Sequence, residues 1–205
     1  MCGLFGSNDV SEFKQLFHLN TVRGSHSHSV SVLDGLDVEV RAKQIGTNLA
    51  EYDSDEDVLL WMGHIQAPTT SDRDVNSIHP SEINGSYLWH NGIIHSQTVT
   101  RWQEELETEV SWDTRLMHQM LLNKSFDVLN DIEGSFACIF FLRGDLYMFR
   151  NDNSPLYVKD SSYSSVMFDG ACAIEPNIVY ILADGTWTKT SYKFVNKDQF
   201  FWSPF

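Results

Sequence analysis

The 205-residue chain has only three cysteines, Cys2, Cys138 and Cys172, an odd number with no Cys-x-x-Cys pair. That argues against a disulfide framework or a zinc ribbon and points to a reducing compartment. Basic residues are scarce: fourteen Lys and Arg stand against twenty-eight Asp and Glu, for a net charge of −14. Such a surface repels phosphate backbones and anionic lipid, so neither nucleic acid nor a membrane is an expected partner. No apolar run approaches the ~20 residues of a membrane span. Met1 is followed by Cys-Gly-Leu-Phe-Gly without a basic leader, so no signal peptide is expected. With five prolines, 42% hydrophobic and 13% aromatic residues, the composition is not that of a disordered chain. A chain of this size buries roughly 70% of its unfolded surface. One soluble, cytoplasmic domain over residues 1–205 is expected, held by its own core.

Strand signals dominate both ends. Ser29 to Leu33 and Leu36 to Val40 alternate around Asp34-Gly35, a hairpin pattern. Val58 to Gly63 is a continuous apolar run, as in a strand covered on both faces. Leu88-Trp89-His90 and Ile93-Ile94 flank Asn91-Gly92, which reads as a second hairpin-like turn. The middle is helical. Thr98 to about Glu109 is charged with few apolar positions. From Asp113 to Asn123, Leu116, Met117, Met120 and Leu121 lie on one helix face, with Asp113 at its N-cap or in its first turn. Strands return at 135–142, 146–150, 155–159, 165–168, 178–183 and 186–194, with Asp184-Gly185 as a further turn. Strands around a central helical pair predict an α+β layered domain.

Trimming of Met1 would leave Cys2 with a free α-amine, so that nucleophile and base share one residue. That amine titrates near pH ~8 and a modest fall makes it a competent base toward the thiol. Gly3 and Gly6 are expected to let the backbone bend toward a substrate. The alternative is a cysteine packed as a small hydrophobe. Asn91 and Gly92 place a side-chain amide beside an unhindered backbone N–H, the two donors that an oxyanion needs. His26-x-His28 with His64 offers three imidazoles, but a closed metal site wants four convergent ligands, so neither metal nor cofactor is expected. Cys138 and Cys172 are expected in core strands, and the acidic run 53–57 in a solvated loop.

Met-Cys-Gly-Leu-Phe-Gly at the start and His90-Asn91-Gly92-Ile93-Ile94 in the middle together resemble the glutaminase domain of class II glutamine amidotransferases, which are N-terminal-nucleophile hydrolases. Arg23-Gly24 with Ser27, Gly63 to Thr69, Asn76 to Pro80, Asp113-Thr114, Gly134 to Ala137 and Arg150 to Tyr157 follow in the same order, so the resemblance covers residues 2 to about 160. It implies a four-layer αββα sandwich of two antiparallel sheets flanked by helices. It implies that Cys2 attacks the γ-amide of glutamine to form a thioester, which water then cleaves, giving glutamate and ammonia. By the same resemblance, Asn91 and Gly92 form the oxyanion hole, and Asp113 pairs with the substrate α-ammonium. Thr69 lines the glutamine pocket, His79 falls among the substrate-binding residues, and Arg23 lies near the Cys2 terminus.

The sequence departs from that pattern at Gln66, where the family has the arginine that clamps the glutamine α-carboxylate. Losing a charge-assisted bond costs ~1.5–3 kcal/mol, and a neutral amide is no match for a bidentate fork. Three readings stand: Arg73 substitutes, the substrate lacks a normal α-carboxylate, or the site is degenerate. His26 likewise stands where the family has aspartate. The length suggests a stand-alone glutaminase or a subunit that feeds ammonia to a separate synthase. The alternatives are a γ-glutamyl amide hydrolase without ammonia transfer and a non-catalytic scaffold. The apolar ending, residues 200–205, docks on a partner or packs on its own domain.

Overall fold

The computed structural model describes residues 2–52, 58–67, 77–195 and 197. Thr69, Arg73, the acidic run 53–57 and the tail 200–205 lie outside them. In chain order the elements are β1 (Gly3–Ser7), α1 (Val10–Asn20), β2 (Ser27–Asp34), β3 (Asp37–Ile45), β4 (Leu60–Gln66), β5 (Ser81–Ile83), β6 (Ser86–Ile94), α2 (Ser96–Leu106) and α3 (Asp113–Lys124). There follow β7 (Gly134–Leu142), β8 (Asp145–Arg150), β9 (Tyr157–Lys159), β10 (Ser162–Ser164), β11 (Cys172–Ala173), β12 (Ile178–Ala183) and β13 (Thr186–Lys193).

These strands form two antiparallel sheets. One runs β11-β9-β10-β1-β4-β2-β3 and the other β13-β12-β8-β7-β6-β5. Alternation along the central strands builds three apolar layers. Leu4, Leu60, Met62, Trp89, Ile139 and Met148 point inward between the sheets. Their neighbours point out: Phe5, Trp61 and Val30 pack on Phe13, Leu16 and Phe17 of α1, while Leu88, Cys138 and Phe140 pack on Leu116, Met117 and Met120 of α3. The result is the expected αββα sandwich, helices on both outer faces of the paired sheets. Within the apolar run 58–63, residues 60–63 are buried on both sides of their sheet, each large side chain contributing about 1.5–3 kcal/mol by leaving water, whereas Leu59, just before β4, is exposed.

Several local expectations change. α1 has no counterpart in the sequence expectation, although Asp9 caps it by accepting from Glu12 N at 2.7 Å and Phe13, Leu16, Phe17 and Asn20 form its buried stripe. Gly3 and Gly6 do not bend. They lie in extended β1, where a side chain at either would strike Asn20 or Tyr163. The first hairpin turns at Gly35-Leu36, since Asp34 still pairs with Asp37. Residues 165–168 are not the late strand: the serine-flanked segment 162–164 pairs with β1, Phe5 opposite Ser164. α2 ends at Leu106, where Glu107 turns left-handed at φ 50°. Cys138 is buried as expected, but Cys172 is exposed, because its two-residue strand sits at the sheet edge. No described helix is long and apolar enough to cross a membrane.

Candidate active site

The two sheets bring five chain segments together at one end of the sandwich: the residue before β1, the end of β4, the stretch before β5, the last half of β6 and the first turn of α3. Cys2, Gln66, His79, Gly92 and Asp113 line one cleft, together with Ala67, Ser77, His90, Trp112 and Thr114. Cys2 is buried, and its Sγ donates to Ala67 O at 3.6 Å. Burial pushes its thiol pKa up, opposed by the Ala67 bond and by the positive chain terminus, so the resting sulfur holds its proton. Arg23 sits behind it, Nε donating to Cys2 O at 2.7 Å and Nη1 to Ser165 O at 3.4 Å.

Asn91-Gly92 is not a turn. β6 runs straight through it, with Asn91 opposite Ala137 and Gly92 opposite Phe136 on β7. Gly92 has φ 154°, and a Cβ there would overlap the Ser135 carbonyl, so glycine is required by both backbone and space. Asn91 is buried, and its Nδ2 donates one proton to Ser165 Oγ at 3.3 Å; the amide carries a second. Ser165 was missed by sequence reasoning. Its Oγ also accepts from Leu4 N at 3.0 Å, tying Asn91 to the strand that follows the cysteine.

Asp113 occupies the first turn of α3, where the helix dipole suits a carboxylate. Its Oδ1 accepts from Thr114 N at 2.7 Å, and its Oδ2 lies 3.5 Å from Ile94 N and 4.0 Å from His90 Nδ1. Beside it three imidazoles are fully buried. His64 Nε2 faces His90 O at 3.1 Å and so carries the proton, since a carbonyl only accepts. His79 stacks on His64 with ring centroids 3.9 Å apart. His79 Nε2 and His90 Nδ1 both reach Thr114 Oγ1, at 3.0 and 3.2 Å. Desolvation lowers all three pKa values, that of His64 to about 3, so the cluster is neutral at pH 7. His90 keeps part of its basicity through Asp113.

Gln66 ends β4 with its Oε1 accepting from Ser27 Oγ at 3.4 Å, and Ser27 Oγ lies 3.2 Å from His26 Nδ1. The three histidines considered for a metal do not converge. His26 faces Ser27, His28 Nδ1 faces Gly46 O at 2.7 Å on the α1 side, and His64 faces β6. Among the described residues no group of three His, Cys, Asp or Glu side chains is arranged to hold a metal ion.

No family model and no curated protein matches the sequence. Solved structures do match the fold. Glutamine phosphoribosylpyrophosphate amidotransferase from B. subtilis, complexed with ADP and GMP, superposes with a TM-score of 0.71 at 19% identity, over 92% of this chain and 49% of that one. A structure described as the allosteric regulatory enzyme of purine biosynthesis gives 0.70 at 19% identity, over 95% and 50%. The chain thus spans about half the length of each. A glutamine aminotransferase class-II domain protein from Silicibacter pomeroyi gives 0.54 at 12% identity, over 95% and 99%. The chain has the two-sheet sandwich fold of these structures.

Proposed function

We propose that this protein is a cytoplasmic N-terminal-cysteine amidohydrolase that cleaves a glutamine-type γ-carboxamide through a thioester and gives up ammonia to a separate acceptor. The observation that carries the reading is the convergence of Cys2, Gly92 and Asp113, from three elements far apart in sequence, on one cleft with Asn91 alongside.

Removal of Met1 frees the α-amine of Cys2. Because burial keeps the thiol protonated, attack needs a base, and an amine titrating near pH ~8 within the same residue supplies it. The sulfur bonds to the γ-carbonyl carbon as the amine takes the thiol proton. The second Asn91 Nδ2 proton and the Gly92 N–H hold the oxyanion. The amine then hands its proton to the leaving nitrogen, the C–N bond breaks and ammonia departs. Water cleaves the thioester and restores the thiol. Asp113 holds the substrate ammonium. The neutral pair His79 and His90, joined through Thr114, fixes that carboxylate and the strand carrying the oxyanion donors, and Arg23 fixes the Cys2 carbonyl.

The test is an intact mass before and after incubation with a diazo-ketone glutamine analogue. Protein lacking Met1 that gains one adduct, abolished by Cys2→Ala, is the expected result. Retained Met1, or processed protein that takes no adduct from the analogue either as the free acid or as its α-amide, overturns it.

A further inference from the structure

The charges of the cleft bear on what can occupy its far end. Asp113 is the only ionised side chain among the described residues that line it once Cys2 is counted as a thiol; His79 and His90 are neutral, and none of those described residues is a lysine or arginine. Lys43, whose field reaches His79, donates to Pro80 O at 2.7 Å outside the lining. Arg23 is turned to the Cys2 carbonyl. The remaining polar group is Gln66, buried at 8% exposure. Its Oε1 is held by Ser27, itself in contact with His26, so the amide is oriented with Nε2 as the group left to give. The Gln66 side-chain bond recorded among the described residues is the one at Oε1.

A carboxylate placed in this cleft loses its hydration, faces Asp113 and receives only neutral hydrogen bonds from the described lining residues, a combination that strongly disfavours it. An ammonium at Asp113 and a neutral carbonyl oxygen at Gln66 Nε2 satisfy both groups. Resting on the hydrolase reading above, we infer that the cleft takes a glutaminyl compound with a free α-ammonium and an α-carboxyl capped as an amide: glutamine α-amide or the N-terminal glutamine of a peptide. The reaction consumes water at the γ-carboxamide and yields the γ-carboxylate and ammonia, leaving the α-amide untouched. Such a substrate carries a net charge of about +1, so a protein of charge −14 steers it, whereas zwitterionic glutamine is not steered.

The experiment measures kcat/KM for glutamine, glutamine α-amide and Gln-Gly-Gly with the whole chain, product mass separating the γ-carboxylate from spontaneous cyclisation. The α-amide is expected to exceed glutamine by about tenfold, one lost charge-assisted contact, and the advantage shrinks as salt is added. Gln66→Arg inverts the preference. Should that variant not fold, the salt series on the unaltered protein still decides, and an α-amide rate flat in ionic strength counts against the inference. Glutamine cleaved as well as or better than the α-amide overturns it, and Arg73→Ala removing that glutamine activity would assign the carboxylate to Arg73. Ammonia from none of the three overturns the hydrolase reading itself. Peptide cleavage alongside the α-amide identifies peptide N termini as the source; the α-amide alone identifies a small molecule.

Discussion

The dipeptide Asn-Gly occurs twice along one β-ribbon, seven residues apart, with opposite outcomes. At Asn84-Gly85 both residues turn left-handed, φ 50° and 73°, and Ile83 pairs with Ser86 across a two-residue hairpin. Open space surrounds the missing Gly85 side chain. At Asn91-Gly92 the same letters sit in mid-strand, Asn91 buried and Gly92 pressed against the Ser135 carbonyl. α3 braces both ends of β6. Thr114 holds His79 and His90 at the cleft end, and one turn later His118 bridges Ser81 and Ser86 at 3.0 and 2.9 Å under the hairpin. A turn glycine is there for its own backbone; the cleft glycine is there for its neighbour's.

Substitution separates the two most sharply. Gly92→Ala is expected to cost more than about 3 kcal/mol and to abolish ammonia release, because backbone conformation and the Ser135 contact are both violated; a urea melt near that of the unaltered protein would dissolve the contrast. Thr114→Val leaves two buried imidazoles short of a hydroxyl and is expected to cost ~2–4 kcal/mol while raising KM through a loosened Asp113. A KM unchanged beside a lowered melting temperature would confine Thr114 to the core.

Acid tests both braces at once. Folded His64 and His118 take a proton only near pH 3, whereas an unfolded histidine takes it near 6.5. Between those values the unfolded chain binds more protons, so stability is full above pH 6.5 and falls by about 1.4 kcal/mol per pH unit per histidine as pH drops toward 3. His118→Asn should remove one histidine's share of that slope in melts at pH 4 to 6 and leave the pH dependence above 7 alone. The smallest effect belongs to Gly85→Ala, about 1–2 kcal/mol of left-handed strain, with the ammonia-release rate of the folded protein unchanged.

The contrast also marks what was legible in the sequence. Layering was, because strand alternation and the 116–121 stripe are local patterns that the sandwich preserves. Asn91-Gly92 was legible as a candidate pair of donors, and its shape was misread: Asn-Gly is the strongest short hairpin signal, and pairing with β7 keeps it straight. Asn84-Gly85, the real hairpin, went unassigned because β5 is three residues long. α1 buries three large apolar side chains, Phe13, Leu16 and Phe17, flanked by half-buried Val10 and Leu19, a stripe confined to one short helix that follows two glycines. Ser165 carries no local mark at all; its value comes from contacts with Leu4 and Asn91 across 161 and 74 residues.

That last separation has a consequence in time. β1 lies between β4 and β10, so its second edge stays open until residues 162–165 exist. At about 5–20 residues per second of synthesis, the chain's beginning waits some 10–30 s for the neighbour that seals it.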